Sequence, residues 1–145
     1  MKKCGEVMTK TPACCLPNDT AAHAAELMKS DNVGSIPVVE TQQSRKLVGI
    51  VTDRDLALKI VAGALDAKST KVEAVMTRTV VTCLADDDLQ KALDAMTRHQ
   101  LRRIPVVDRE NKVVGIIAQA DVATRVDQPE KTAEMLKGIS EASQQ

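Results

Sequence analysis

The segment GIVTDRDLALKI at 49–60 sets a hydroxyl, two carboxylates and a guanidinium where an apolar, strand-like run gives way to an amphipathic one. Thr52, Asp53, Arg54 and Asp55 therefore sit at a strand-to-helix turn, and two kinds of chemistry use such residues there. One is structural: a hydroxyl or carboxylate accepts hydrogen bonds from helix amides that lack an intrahelical partner. The other is recognition: a carboxylate accepts both hydroxyl protons of a ribose, and the amides that open a helix favour a phosphate. Capping accounts for one of these residues. It does not account for Asp55 being matched by Asp121 in GIIAQAD at 115–121, where Ala118 replaces Thr52. The residues alone leave capping and ligand binding both open. Catalysis has little to work with, because no nucleophile stands by a recognisable base and no phosphate loop or metal-ligand cluster is present. Asp53 and Asp55, two apart near a helix start, point in different directions.

The elements that must position this turn belong to a chain of 145 residues, enough for one sizeable core. Twenty basic and twenty acidic residues give a formal charge of zero, so no global field draws the chain to nucleic acid or to an anionic membrane. No apolar run approaches a membrane span, and MKKCGEVMTK lacks the apolar core of a signal peptide, so a cytoplasmic location is expected. Phe, Tyr and Trp are absent, so the core must be aliphatic and a ligand base must be held without aromatic stacking. Cys4, Cys14, Cys15 and Cys83 form no C-x-x-C pair and the only histidines are His23 and His99, a spacing that argues against structural zinc.

The chain repeats itself. VMTKTPACCL at 7–16 returns as VMTRTVVTCL at 75–84, and IPVV at 36–39 returns at 104–107, a shift of 68 residues in both cases (75 − 7 and 104 − 36). LVGIVTDRDLALKIV at 47–61 then matches VVGIIAQADVATRV at 113–126, with Gly49 on Gly115 and Asp55 on Asp121, so the second copy has lost two residues from a polar hairpin connection. Each copy reads as a Val-Met turn, a strand near 11–16 or 79–84, and a helix capped from Asn18, Asp19 or Thr20, or from Asp86, Asp87 or Asp88. Ala21, Ala24, Ala25 and Met28, and Leu89, Ala92, Leu93 and Met96, form the apolar helix faces. Two β-branched strands follow, with Pro37 and Pro105 favouring an edge or an irregular start, and a short helix near 53–62 or 119–126 closes each copy. The expected organisation is a first copy over 1–62, a polar connector over 63–74, a second copy over 75–126, and a C-terminal helix and tail over 127–145. In that tail Pro129 opens a helix carrying Ala133, Leu136 and Ile139, which packs on the module or on a partner.

With V-M-T opening each copy, I-P-V-V in the middle and G-I-V-T-D-R-D or G-I-I-A-Q-A-D closing it, the chain resembles tandem cystathionine-β-synthase (CBS) domains, the pair called a Bateman module. The resemblance covers about residues 5–126, and the ordered set occurring twice makes it specific. It implies an α/β (α+β) fold of two β-α-β-β-α repeats whose sheets pack about a pseudo-twofold axis and leave two clefts. In such modules the clefts commonly bind adenine nucleotides or related adenosyl compounds. By resemblance, Asp55 holds the ribose hydroxyls, Thr52 and Arg54 approach the phosphate, and Ala13, Ile36 and Pro37 form the base pocket. In the second copy Asp121 keeps the ribose position and Val81, Ile104 and Pro105 match the base pocket. Ala118 and Ala120 replace Thr52 and Arg54, so this site is expected to be weaker or empty. RHQLRR at 98–103 places Arg102 and Arg103 where the first copy has Gly34 and Ser35, and basic residues at that place in the family reach phosphates. A guanidinium fork suits two phosphate oxygens, although cations at a helix end also answer the helix dipole, the reading that fits Arg98; His99 reads as an exposed histidine.

The function implied is regulatory and not enzymatic. An adenine nucleotide (AMP, ADP or ATP) or adenosyl compound acts as regulatory ligand, no cofactor is required, the module forms a homodimer, and the client is a separate protein. Two alternatives stand beside it. One is a nucleic-acid-binding or structural interaction protein that has lost its ligand, although zero charge, DDD at 86–88 and the missing aromatics count against nucleic acid. The other is a metal or redox sensor using Cys14, Cys15 and Cys83, with the repeat-equivalent Cys15 and Cys83 expected to approach each other; burial on a strand is the plainer account.

Overall fold

In the computed structural model, residues 2–125 are described; Val126 and everything read onto 127–145 lie outside them. In chain order the elements are α1 (Cys4–Val7), β1 (Thr9–Lys10), α2 (Ala21–Asp31), β2 (Ser35–Val39), β3 (Leu47–Thr52), α3 (Asp53–Asp55) running straight into a π-helical turn (Leu56–Val61), α4 (Val72–Val75), β4 (Cys83–Leu84), α5 (Leu89–His99), β5 (Arg103–Val107), β6 (Val113–Ala118) and α6 (Gln119–Arg125).

These elements gather into two compact units that are offset from the sequence repeats. One unit is Ala13–Val80; the other joins the residues up to Pro12 to the described residues from Val81 onward. The opening segment of each copy thus serves the other copy. In the unit that holds the second copy, the sheet order is β1-β6-β5-β4, with β1 antiparallel to β6 and β4 parallel to β5. In the Ala13–Val80 unit, the β2–β3 hairpin is flanked in the same way by single bridges, Thr77 on Ile50 and Cys15 on Val38.

Glycine permits this crossing. A Cβ on Gly49 would stand 2.7 Å from Met76 Sδ and 3.0 Å from Thr77 O, and one on Gly115 would stand 2.9 Å from Thr9 O. The leader lies directly on that backbone, so only glycine leaves room. Its apolar residues then enter the core beneath. Cys4 and Val7 are buried with Leu89, Ile104 and Ile117. Val72, Val75 and Met76 are buried with Ala24, Ile36 and Val51. A repeat of this size has little core of its own, and the exchanged leader enlarges it.

Several expectations are corrected by this arrangement. The strands near 11–16 and 79–84 shrink to Cys15 and to Cys83–Leu84, because Thr11 takes a positive φ of 51° and the chain around Pro12 and Val80 is the passage between units. Pro105 lies in an interior strand rather than at an edge. At the matching place in the other unit Cys15 N–H donates to Pro37 O and Val39 N–H to Cys15 O, so the short parallel neighbour bonds the strand from the proline onward and does not call on the N–H that proline lacks. The stretch 63–74 is more than a connector: Thr70 O and Ala67 O accept from the first amides of α2, Ala21 N–H at 2.8 Å and Ala22 N–H at 3.0 Å, and α4 begins within it. Thr20 caps α2, its hydroxyl accepting from His23 N–H, and Ala25 stays exposed while Ala21, Ala24 and Met28 are buried. In α5 the four expected residues, Leu89, Ala92, Leu93 and Met96, are all buried.

Candidate functional site

The turn at 52–55 is built by a reciprocal cap. Thr52 ends β3 and its Oγ1 accepts from Asp55 N–H at 3.0 Å, while Asp55 Oδ2 accepts from Thr52 N–H at 3.0 Å. Asp53 N–H donates to Gly34 O at 2.9 Å and so ties the turn to the start of β2, where Ser35 stands opposite Thr52. Among the described residues Asp55 is the one buried charged side chain, 8% exposed. Two donors come from outside the turn. Thr77 Oγ1 lies 3.1 and 3.2 Å from the two carboxylate oxygens, and Lys59 Nζ lies 3.2 Å from Oδ1 while donating to Val75 O.

Capping is therefore realised at Asp55, and the form it takes bears on recognition. The carboxylate accepts from a backbone amide of its own turn, whereas its other donors are a hydroxyl and an ammonium on exposed residues. A diol could take their place without disturbing the turn. Arg54 is exposed and its guanidinium makes no ion pair among the described residues; Ala13 is exposed. Ile36 and Pro37 are buried on β2, and the Ile36 side chain belongs to the core.

The second copy keeps half of this device. Asp121 Oδ2 accepts from Thr9 Oγ1 at 3.2 Å and from Ala118 N–H at 3.4 Å, with Thr9 standing in the repeat position of Thr77. The hydroxyl of Thr52 has no counterpart at Ala118, but Arg103 stands opposite Ala118 in the β5–β6 register, as Ser35 stands opposite Thr52. The loop anchor is retained too, Gln119 N–H donating to Arg102 O at 3.0 Å. Its chemistry is changed. Where the first copy sets the Asp53 carboxylate over Gly34, the second has Gln119, whose buried Oε1 takes no hydrogen bond among the described residues, beside an exposed Arg102. Ile104 and Pro105 are buried, Val81 is half-buried, Ala120 is exposed, and Arg98 and His99 end α5 as exposed residues. A hollow of 330 Å³ lined by Leu84, Asp86, Val107 and Arg109 lies at the far end of β5 from Arg103 and joins none of these groups.

Thr9, Thr77 and Lys59 were not singled out by sequence reasoning. The signal for the two threonines was present, since V-M-T recurs at 7–9 and 75–77. All four cysteines are buried thiols outside any disulfide. Burial, then the negative charges of Asp19 and Cys14, pushes the Cys15 thiol up to about 12. Cys15 and Cys83 each lie in the core of their own unit, and the thiol that Cys83 meets is that of Cys4. Among the described residues no three His, Cys, Asp or Glu gather as a metal site.

Comparison with known proteins places this geometry. Residues 4–62 and 72–127 match the CBS domain family. The chain is 40% identical over 140 residues to CBS domain-containing protein YhcV of Bacillus subtilis, covering 97% of this chain and 96% of that protein. Hypoxic response protein I, solved with two coordinated zinc ions, superposes with a TM-score of 0.76 at 28% identity, over 86% of this chain and 99% of that one. The CBS domain pair of protein MJ0100, solved with 5-methylthioadenosine and S-adenosyl-L-methionine, gives a TM-score of 0.73 at 27% identity, over 86% and 94%.

Proposed function

The chain belongs to the CBS domain family, and on that basis we propose that it is a regulatory module that binds an adenine nucleotide or related adenosyl compound. The observation that carries this reading is the Thr52–Asp55 turn: a buried carboxylate, held by a backbone amide of its own turn, whose other donors are the hydroxyl and the ammonium of two exposed residues. A related CBS pair was solved with two adenosyl ligands, and a ribose diol is the group such a carboxylate suits.

The first copy is the principal site in this reading, with Asp55 on the ribose, Thr52 and Arg54 toward a phosphate, and Ala13, Ile36 and Pro37 around the base. The second is weaker. Asp121 remains for the ribose, Ile104 and Pro105 for the base, and Arg103 opposite Ala118, with Arg102 beside it, supplies phosphate donors in place of the lost hydroxyl. The module acts in the cytoplasm as a homodimer that passes ligand occupancy to a separate client protein. Leu58, Val61 and Leu65, exposed by 50% or more, offer apolar surface for pairing. A ligand regulates by binding one arrangement of the chain better than another.

Isothermal titration with AMP, ADP, ATP and S-adenosylmethionine tests the assignment on the wild type, Asp55→Asn and Asp121→Asn. Asparagine is used because alanine would also remove the cap. Saturable binding that is lost in Asp55→Asn and kept in Asp121→Asn is expected. Binding by none of the four, or binding indifferent to Asp55, overturns the reading.

A further inference from the structure

The leader that crosses from one copy to the other carries a cysteine to a second cysteine. Cys4 N–H donates to Asp87 O at 2.9 Å and Gly5 N–H to Ala85 O at 3.0 Å, which lays α1 along the segment that follows β4. Cys4 is fully buried and Cys83 is 5% exposed within one apolar cluster. Their outer contacts are weak, Cys4 Sγ to Asp88 O at 3.8 Å and Cys83 Sγ to Pro105 O at 3.9 Å, and each thiol acts on the other more strongly than any other group does. The other unit provides an internal control. Its equivalents are Val72 and Cys15 (72 − 4 and 83 − 15, both 68), with Val72 N–H donating to Asp19 O at 2.8 Å as Cys4 N–H does to Asp87 O. There the same architecture is held with one thiol, so packing alone does not require two.

We propose that Cys4 and Cys83 form a redox-active dithiol that small peroxides oxidise to an intrachain disulfide, fastening the leader to the unit it serves. The hydrogen bond from the Cys83 thiol holds the Cys4 thiol below its ordinary range, whereas that bond and burial push Cys83 up, so Cys4 is the sulfur that attacks first. The Cys4 thiolate attacks one peroxide oxygen and the O–O bond breaks. The leaving hydroxide takes the proton given up by Cys4 and departs as water, with Cys4 now a sulfenic acid. Cys83 sulfur then attacks Cys4 sulfur, the S–O bond breaks, and the hydroxyl leaves with the Cys83 proton as a second water. Two thiols lose two electrons and one peroxide gains them. The leader is otherwise held by a four-residue helix and a two-residue strand, and it carries Thr9, which donates to Asp121. A disulfide therefore fixes Thr9 against that carboxylate and ties oxidation to the second copy's candidate site.

The full reduced chain is treated with hydrogen peroxide, then analysed by intact mass, alkylation of the remaining thiols and non-reducing peptide mapping. The expected product is lighter by two hydrogens, keeps two of its four thiols, contains a Cys4–Cys83 link and reverts with dithiothreitol. Amide exchange over 4–11 slows by about ten-fold or more, while the equivalent 72–79 is unchanged. In Cys83→Ser the link is absent and Cys4 proceeds to higher oxides. Added oxygen without loss of hydrogens in the wild type, a link through Cys14 or Cys15, or a disulfide that leaves exchange over 4–11 unaltered overturns the proposal. The wild type alone delivers these results, so the test does not depend on the variant's folding.

Discussion

Replacing Asp55 by alanine removes one carboxylate from three donors at once, and the geometry fixes what each loss is worth. The Asp55 N–H bond to Thr52 Oγ1 survives the change, whereas Thr77 Oγ1 loses both of its carboxylate contacts, which costs about 1 kcal/mol. Thr52 N–H, in a partly buried turn, is left without its acceptor, which adds about 1–2 kcal/mol. The Lys59 contact adds little, about 0–1 kcal/mol, because its side chain is 46% exposed. The sum is about 2–4 kcal/mol, which at roughly 2–4 °C per kcal/mol lowers the melting temperature by roughly 4–16 °C. Asp55→Asn keeps an oxygen for Thr52 N–H and loses about 1 kcal/mol. With no Trp or Tyr in the chain, the assay is thermal or urea unfolding followed by far-UV circular dichroism. Lys59→Ala is the control and should fall within about 1 kcal/mol of the wild type. An unchanged melting temperature in Asp55→Ala, or a Lys59→Ala loss as large as that of Asp55→Ala, would refute the assignment of the carboxylate as a cap.

Three further outcomes follow from the crossed leaders and the surface pairs. Gly115→Ala places a methyl against Thr9 O and Met8, so a loss of about 1–3 kcal/mol in urea unfolding is expected, and a neutral substitution would contradict the close approach. Deleting residues 1–10 removes α1 and β1 from the unit that holds the second copy. Hydrogen exchange should therefore rise in β5 and β6, far along the sequence, more than in β2 and β3; the reverse order would refute the exchange of leaders. The Lys3 ammonium, 2.7 Å from Asp88, holds that carboxyl below the ordinary aspartate value of 3.8. The small stabilisation it brings is present above that ordinary value and is lost as pH falls through the lower folded one. Titration of Asp88 by NMR should show the depressed midpoint, with Lys3→Ala restoring it.

The sequence alone determined the repeat, the membership that the ordered motifs imply, the two helix faces and the turn at Thr52–Asp55. Each of these is written locally: β-branched runs, caps and 3.6-residue spacing act through neighbours in the chain, and a duplicated pattern is visible without coordinates. Asp55 was legible as a cap for the same reason, its partner Thr52 being three residues away. What only the tertiary structure decided is which leader lies on which copy. Thr77 reaches Asp55 and Thr9 reaches Asp121 across 22 and 112 residues, and no local propensity encodes that pairing. The same holds for Cys4 meeting Cys83, and for 63–74 supplying acceptors to α2. A short repeat buries too little apolar surface by itself, so the lower free energy belongs to the arrangement in which each core borrows the other copy's Val-Met segment, and burial is a property of the folded whole.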